Sequence, residues 1–313
     1  MKLSPKQQGN LIMFCVATIF AINIPISKAL LSGHISPFGL TLARTFFASI
    51  VFWIVSLFLK TEKILLKDHL TIFIAGILGI AVNQGLFIYG LGKTSPVDAS
   101  IIITSGPLFA MIIAAIVLKE PITSKKVLGV IIGGLGAIVL VYTSHHDFSE
   151  QSSHVSGNIA IISSSFCYAL YLVISKPLAG KYSSVTLMKW MFLYSTIFLF
   201  PFTYKEIINA ELFHQTEIVP YMMIAYTLFG ATFITYMLIP FAQQRIRATT
   251  ISMYNNLQPL IASFIAIMAG MDKFSIGKVF AGALIFLGVY FVTKSKSKAD
   301  LDAEKANLEA NNK

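Results

Sequence analysis

The sequence predicts an all-α integral membrane protein with ten transmembrane helices, arranged as two inverted repeats of five helices each. Three observations support this fold class. The composition is too apolar for a soluble surface, since 56% of the 313 residues are hydrophobic and only 12% are charged, against roughly a quarter charged in an ordinary soluble domain. The apolar residues form runs long enough to cross a bilayer, which needs about 20 residues. The first half of the sequence also matches the second half.

The predicted spans follow from the places where charged residues, prolines and turn residues interrupt the apolar runs. No Asp, Glu, Lys or Arg occurs in residues 70–92 or 218–244, so both runs can cross a membrane without burying a charge. The seventh and tenth spans contain Lys189 and Lys278 near their starts, where a lysine can extend its amine to the headgroup layer. In chain order the predicted spans are 9–31, 37–59, 70–92, 96–118, 126–143, 157–175, 184–204, 218–244, 248–271 and 276–293.

The basic residues favour one orientation in the membrane. With the N-terminus in the cytoplasm, 17 of the 24 Lys and Arg residues fall on the cytoplasmic side, and only Lys93, Lys205, Lys273 and Lys278 fall outside. Cytoplasmic loops collect Lys and Arg, so both termini are predicted to be cytoplasmic. We therefore expect a cytoplasmic N-terminus at 1–8, an external loop at 144–156 and a cytoplasmic, disordered tail at 294–313. The expected location is the inner (plasma) membrane of the cell.

The composition and motifs disfavour several functions. The net charge of +10 comes from basic residues that stand singly between apolar runs, whereas nucleic-acid binding needs them clustered on one soluble face. Cys15 and Cys167 lie inside apolar runs, where a thiol packs as a small hydrophobe. The chain has no HExxH motif, no GxSxG motif and no phosphate-binding loop. We therefore predict that the protein is neither an enzyme nor an ATP-driven pump and that it binds no cofactor. The three histidines of loop 145–154 could hold a metal, but a solvated loop explains them without one.

An internal repeat is the most informative feature of the chain. Apolar matches between two membrane helices would mean little, but shared Gly, Lys, Pro and acidic positions indicate a duplication. We therefore assign residues 9–143 and 157–293 to two five-helix repeats. The matched pairs are Gly9 with Gly157, Asn10 with Asn158, Ser27 with Ser175, Lys28 with Lys176, Pro107 with Pro259, Glu120 with Asp272, Lys126 with Lys278 and Gly136 with Gly288.

Five helices in each repeat give the two repeats opposite orientations, because an odd number of crossings brings the chain to the other side of the membrane. Many secondary transporters are built in this way. The two halves can exchange conformations, so that the form open to one side is the pseudo-mirror of the form open to the other. The repeat therefore predicts alternating access to a central site.

Four parts of the sequence carry a family resemblance. They are the first span, Pro37 with Arg44 in the second span, the segment SPVDASIIITSGPLFAMIIAAIVLKEP followed by GVIIGGLGAIVL, and the second copy at 259–288. Together they resemble the EamA-type permeases of the drug/metabolite transporter superfamily. The resemblance covers about residues 9–293. It implies ten helices with cytoplasmic termini, around a cavity lined by the first, third, fourth, sixth, eighth and ninth. The second copy departs from the pattern by having Asp272 and Lys273 where the first has Glu120 and Pro121.

Polar side chains at membrane depth are the candidates for substrate binding, because they are costly there unless they are satisfied or face a cavity. The ninth span has three amides where the matching positions of the fourth span are Ile103, Thr104 and Gly106. Such amides either line a cavity or join helices through hydrogen bonds worth about 1 kcal/mol each. The candidate substrate-binding residues are Asn255, Gln258, Asn256, Gln84, Asn23, Tyr168, Tyr171, Tyr236 and Arg44, with Asn83 as a further cavity residue.

Charged residues and prolines in the spans bear on mechanism. Arg44 either binds an anionic group of the substrate, or it snorkels or holds backbone carbonyls. Asp98 is the only carboxylate close to a cavity helix, and it also suits the start of a helix. No span contains a central Asp or Glu, so we expect facilitated transport or exchange rather than a buried proton relay. Pro107 and Pro259 each remove a backbone hydrogen bond, and we expect them to act as hinges or to shape the cavity.

The predicted function is a secondary transporter that moves a small polar metabolite, such as an amino acid or a related compound, in the export direction. The alternative is a passive channel, or another multi-span membrane protein without coupled transport, although no filter or ring of like residues is readable. The expected partners are a small-molecule substrate and the lipid bilayer, without nucleic acid. We expect a monomer or a homodimer.

Overall fold

The computed structural model describes residues 3–94, 99, 102–144, 155–214, 216–268 and 276–296. Helices dominate these ranges, and no strand occurs within them. Six of the described helices are long and apolar enough to cross a membrane, by length and composition. The prediction of an all-α membrane protein is thus confirmed. Asp98, the histidine loop 145–154, Asp272, Lys273 and the tail 297–313 lie outside the described residues.

The first half of the described chain contains five helical segments. The helix α1 spans Pro5–Leu31, α2 spans Pro37–Leu57, α3 spans Leu66–Lys93, α4 spans Gly106–Val117 and α5 spans Ser124–Ser144. Serines begin the first two helices: Ser4 accepts a hydrogen bond from the Gln7 amide, and Ser36 accepts one from the Gly39 amide. Such side chains satisfy the free N–H groups of a helix start.

The second half repeats this succession. The helix α6 spans Val155–Ala179, α7 spans Ser184–Ile208, and a short 3₁₀ turn follows at Glu211–His214. The helix α8 spans Ile218–Gln243. The helix α9 consists of Ala248–Met253, a 3₁₀ turn at Tyr254–Asn256 and Leu257–Met268, and α10 spans Ile276–Lys294.

Two helices change their winding midway, which the sequence did not predict. The middle of α3 is π-helical at Ile77–Val82, and the middle of α8 is π-helical at Tyr226–Ile234. A π turn accommodates an extra residue and is rare outside functional sites. The middle sections of α3 and α8 are therefore candidates for a functional site.

The predicted fourth and ninth spans are interrupted just before their prolines. Residues 102–103 are helical, Thr104 and Ser105 form a turn, and α4 then begins with Gly106 and Pro107. In α9 the 3₁₀ turn ends at Asn256, and Pro259 lies in the first turn of the next segment. Proline lacks an N–H group and crowds the preceding turn, so a break at this place is its expected effect.

Close contact between α5 and α10 depends on glycine. A methyl group on Gly288 would lie 2.5 Å from the Cα of Gly133, and one on Gly136 would lie 2.7 Å from the Cβ of Leu284. Small residues let two membrane helices approach so closely. Large apolar side chains such as Ile116, Phe202 and Phe286 are exposed on the outside of the helices, as expected for a surface in contact with lipid.

Two lysines at matched positions of the repeat bind carbonyl oxygens at the ends of neighbouring helices. Lys28, near the end of α1, donates to the carbonyls of Leu91 at 2.7 Å and Thr94 at 3.2 Å, at the end of α3. Lys176, near the end of α6, donates to the carbonyls of Gln243 at 3.0 Å and Ile246 at 2.7 Å, at the end of α8. A cation suits the carbonyl end of a helix, where the helix dipole is negative.

Candidate binding cavity

A cavity of about 100 Å³ lies among the helices α1, α2, α3, α4, α6, α8 and α9. This volume suits a small ligand, since drug-sized ligands occupy roughly 300–1,000 Å³. No Asp or Glu is found among the described residues that line it. The lining residues are Phe20, Asn23, Ile24, Arg44, Asn83, Gln84, Phe87, Ile103, Gly106, Ser164, Ser165, Tyr168, Tyr236, Asn255 and Gln258.

The cavity brings together seven of the nine predicted binding residues, which are Asn23, Arg44, Gln84, Tyr168, Tyr236, Asn255 and Gln258. The other two lie elsewhere. Asn256 is fully buried beside Gly133 of α5, and the ring of Tyr171 packs directly on Gly79 in the π-helical part of α3. These two side chains thus join helices and do not face the cavity.

The guanidinium of Arg44 is held against α8 by neutral groups. Its Nε donates to Thr232 Oγ1 at 2.8 Å, and its Nη2 donates to the carbonyl oxygen of Ala231 at 3.2 Å. Thr232 Oγ1 in turn donates to the carbonyl oxygen of Thr227 at 2.7 Å. Arg44 is only 4% exposed, so a cation is buried at membrane depth. A buried charge of this kind marks a functional site unless it is paired.

Asn23 and Asn83 are already engaged in hydrogen bonds. Asn23 accepts from Thr227 Oγ1 at 3.0 Å and donates to Ser27 Oγ at 3.0 Å. Asn83 donates to both the backbone oxygen and the hydroxyl of Ser164 at 2.9 Å. These amides join α1 to α8 and α3 to α6, so they shape the cavity wall as well as lining it.

Two other polar side chains in the lining lack full hydrogen bonds. The hydroxyl of Tyr168 is buried without a hydrogen bond to the described residues, and the buried amide of Gln84 has only the Tyr236 hydroxyl beside it, in a contact too loose for a full hydrogen bond. Most buried polar groups in proteins are hydrogen-bonded, and an exception calls for an explanation. A polar ligand or water in the cavity would satisfy both groups.

Asn255 and Gln258 lie side by side on one face of α9. Gln258 Nε2 donates to Asn255 Oδ1 at 3.2 Å, and both side chains line the cavity. Both N–H groups of the Asn255 amide donate to no described residue, and the oxygen of the Gln258 amide accepts from none. The pair can thus offer both a donor and an acceptor to a ligand.

The lining is drawn from both halves at matched positions. Gln84 and Tyr236 correspond in the repeat and both face the cavity, as do Ile103 with Asn255 and Gly106 with Gln258. Phe20, Phe87, Ser164 and Ser165 also line the cavity, although they were not predicted from the sequence. Phe20 could have been found from the repeat, because it is the counterpart of Tyr168.

One end of the cavity is closed by apolar packing. Toward the start of α1 and the end of α6, the helices α4, α6 and α9 contact one another. Ile113, Leu172 and Ile251 are buried together there in the largest apolar cluster of the described chain. Passage toward this end would require these helices to separate.

A larger depression of about 430 Å³ lies between the α1–α2 turn and the end of α7, lined in part by His34, Lys205 and Glu206. None of the predicted binding residues borders it. No group of three or more His, Cys, Asp or Glu residues in the described part of the chain is arranged to hold a metal ion. The cavity among the seven helices is therefore the stronger candidate.

Known proteins resemble this chain over most of its length. The sequence pattern of the EamA-like transporter family matches residues 7–142 and, a second time, residues 155–294. The uncharacterized transporter YyaM of Bacillus subtilis is 27% identical over 262 residues, covering 82% of this chain and 84% of that protein. An uncharacterized transporter of Archaeoglobus fulgidus is 26% identical over 264 residues, covering 84% of this chain and 90% of that protein.

The similarity extends to plants and to a solved structure. The WAT1-related protein At3g53210 of Arabidopsis thaliana is 25% identical over 319 residues, covering 92% of this chain and 86% of that protein. A crystal structure with 17% sequence identity superposes with a TM-score of 0.72, covering 92% of this chain and 96% of that one. At this identity the superposition shows a common fold and nothing about the compound carried.

Proposed function

Since the chain belongs to the EamA-like transporter family, and is therefore a membrane transporter and not an enzyme, we propose that it is a secondary transporter that moves a small polar metabolite by alternating access. The observation that carries this proposal is the buried polar cavity, lined from both halves of the chain and closed at one end. An amino acid or a related compound, carried in the export direction, is the proposed cargo. The chain works as a monomer or a homodimer in the lipid bilayer.

The proposed architecture is ten transmembrane helices in two inverted repeats of five, at residues 9–143 and 157–293. Support comes from the two matches to one family pattern and from features that recur at corresponding places. These are the lysines of α1 and α6 that bind carbonyls at the ends of α3 and α8, the π-helical stretches in α3 and α8, and the breaks before Pro107 and Pro259. Each depends on backbone geometry, which apolar composition alone would not reproduce.

The proposed orientation places both termini in the cytoplasm of a cell whose plasma membrane contains the protein. The apolar packing of α4, α6 and α9 then lies on the cytoplasmic side of the cavity. A cysteine at position 64 or 150, in a background without Cys15 and Cys167, tests this orientation with a membrane-impermeant thiol reagent. We expect labelling of intact cells at position 150 only. Labelling at position 64 from outside would overturn the orientation.

Transport itself is tested with purified protein reconstituted into liposomes. Efflux and uptake of radiolabelled amino acids and small organic acids are measured against protein-free liposomes. We expect saturable flux that depends on the protein. A flux that rises linearly with concentration to the solubility limit would instead support a passive channel, and the absence of flux for every compound would contradict the proposed function.

Pro107 and Pro259 are the proposed hinges of the moving helices. Each lies just after a break in its helix, so the carbonyls of the preceding turn lack a proline N–H to bind. Replacing either by Ala should slow transport more than it lowers the melting temperature. Pro240, inside α8 without a preceding break, provides a control substitution to Ala. Normal turnover in both Pro107→Ala and Pro259→Ala would contradict the hinge role.

A further inference from the structure

We propose that Arg44 is an anion-binding site and that the transported compound carries a carboxylate, which binds the guanidinium together with the Gln84 amide and the Tyr168 hydroxyl. The inference rests on the proposed function, and it adds the chemical class of the substrate. The charge of Arg44, its hydrogen bonds, the incompletely bonded side chains around it and the comparison of the two halves each support it.

No acidic residue in the described part of the chain compensates the charge of Arg44. Arg44 is 4% exposed, and its partners among the described residues are a hydroxyl and a carbonyl. No Asp or Glu of the described residues forms an ion pair with it or lines the cavity. A cation buried without an anion is costly in a protein and in a membrane. A ligand with one negative charge would offset that cost.

The hydrogen bonds of Arg44 orient it for such a ligand. Nε and Nη2 are bound to Thr232 and Ala231, which holds the planar group against α8. Nη1 donates to no described residue, so that edge of the guanidinium is free while the side chain lines the cavity. Arginine binds carboxylates through two parallel N–H groups in this manner. The site is therefore held in place before a ligand arrives.

Two further donors complete the site. Gln84 is 3% exposed, and its amide has only a loose contact with the Tyr236 hydroxyl. The Tyr168 hydroxyl has no hydrogen-bond partner among the described residues. Tyr236, the repeat counterpart of Gln84, lies within electrostatic range of both Arg44 and Tyr168. A carboxylate accepts about four hydrogen bonds. It can thus use the guanidinium, the amide and the hydroxyl at once.

The second half of the chain argues against a purely structural role for Arg44. Counted from the serines that begin α2 and α7, Ser36 and Ser183, the same position is Arg44 in α2 and Met191 in α7, and both side chains are buried. Lysines that hold helix-end carbonyls, by contrast, occur in both halves, as Lys28 and Lys176. A cation needed only to hold carbonyls of the neighbouring helix would be expected in both halves.

Binding to the purified full-length protein in detergent tests the inference directly. The probes are the common L-amino acids, lactate and succinate, each compared with its own carboxamide, and the measurement is the shift in melting temperature. We expect at least one carboxylate to raise the melting temperature and its carboxamide to have no effect. Equal protection by the carboxamide, or no protection by any carboxylate, would overturn the inference.

Variants locate the site. Arg44→Gln should weaken carboxylate binding at least tenfold, and Arg44→Lys should weaken it less because the charge remains. Lys28→Gln is the matched control, since it removes a cation outside the cavity and should leave the affinity unchanged. Carboxylate affinity within twofold of wild type in Arg44→Gln would refute the role of Arg44.

Gln84→Glu covers the case in which Arg44→Gln does not fold. It keeps Arg44 and adds a carboxylate of nearly the same shape to the cavity. We expect a higher melting temperature without ligand and loss of protection by carboxylates, because the new side chain takes the place of the ligand. Retained carboxylate binding with an unchanged or lower melting temperature would count against the anion site.

The liposome assay separates this inference from the proposed function. The carboxamides of the binding test are added to the compounds assayed for flux. Flux of a carboxamide without flux or binding of any carboxylate would leave the transporter in place and remove the anion site. Binding of carboxylates without flux of any compound would leave the anion site in place and remove the transporter.

Discussion

The two halves of the molecule agree in backbone structure and differ in the chemistry of their side chains at the cavity. Lys28 and Lys176 bind carbonyls at corresponding helix ends, and α3 and α8 are π-helical at overlapping positions of the repeat. The cavity, in contrast, receives Arg44 from the first half, where the second half has Met191. It receives Asn255 and Gln258 from the second half, where the first half has Ile103 and Gly106.

This division follows from what each feature has to do. Two halves that pack and move in the same way must build the same helix ends, breaks and close contacts. Most small metabolites lack twofold symmetry, so a cavity lined by both halves distinguishes the two ends of such a ligand through residues that differ between the halves. Shared positions should therefore govern stability, and unshared cavity positions should govern affinity.

The largest expected effect is on the glycines shared by both halves. Gly136→Ala and Gly288→Ala each place a methyl group within 3 Å of the facing helix, partly against backbone atoms. Overpacking of this kind costs about 1–3 kcal/mol or more. Both variants should lower the melting temperature strongly. Gly134→Ala is the control, because nothing lies within 4 Å of the added methyl group. A small effect at Gly288 would contradict the described contact of α5 with α10.

The two lysines should come next, with nearly equal effects. Lys28→Met and Lys176→Met each remove charge-assisted hydrogen bonds to helix-end carbonyls, at a cost of about 1–2 kcal/mol. Melting temperature should fall in both and ligand affinity in neither. Lys205→Met, at an exposed position, controls for loss of charge. A change in affinity for only one of the pair would break the proposed equivalence of the halves.

The unshared amides should show the opposite pattern. Asn255→Leu or Gln258→Leu should weaken ligand binding about tenfold, since the pair forms one face of the cavity, with little change in melting temperature. Asn256→Leu is the matched control, because this neighbouring amide faces α5 and not the cavity. It should leave the affinity unchanged. Lower stability with unaltered affinity at 255 and 258 would mean that these amides only join helices.

The smallest expected effect concerns the start of α7. Both α2 and α7 begin with a serine cap, but only Ser183 also donates to Glu62, through its amide and its hydroxyl at 3.0 Å. Burial alone would raise the pKa of Glu62, but hydrogen bonds from Thr186 and Ser183 lower it below the ordinary 4.5. The contact should thus stabilise the protein above pH 4.5 and be lost as the pH falls through the lowered value.

Glu62→Gln should accordingly lower the melting temperature slightly near neutral pH, by less than the loss of a full helix cap at about 1 kcal/mol. The difference from wild type should shrink as the pH falls from 4.5 through the lowered pKa of Glu62. A difference that grows on acidification would contradict the assignment.

Much of the fold and of the cavity was predictable from sequence. Membrane helices can be recognised in a sequence because lipid offers no hydrogen bonds. The backbone groups must bond within the helix, and most side chains must be apolar. For the same reason, isolated amides and Arg44 at membrane depth pointed to a cavity, and most of those residues line it. The helices also begin and end close to the Pro, Ser and charged residues that marked the predicted bounds.

Which individual side chains point into the cavity was not predictable from the sequence. Asn255 and Asn256 are neighbours, yet one lines the cavity and the other faces α5, because the 3₁₀ turn at Tyr254–Asn256 alters the winding before Pro259. Tyr171 was expected in the cavity but packs on Gly79, which lies in a π-helical stretch that no local sequence signal announced.

The π-helical stretch of α3 also sets the rotational phase of the residues beyond it. Each residue advances an α-helix by about 100°, whereas a π turn absorbs one extra residue without that advance. If Ile77–Val82 rewound as regular α-helix with all its residues kept, every later side chain would turn by about that angle. Asn83, Gln84 and Phe87 follow directly and form the α3 wall of the cavity. A change between π and α winding would therefore replace the whole wall at once without any substitution in it, whereas deletion of the extra residue would preserve the wall.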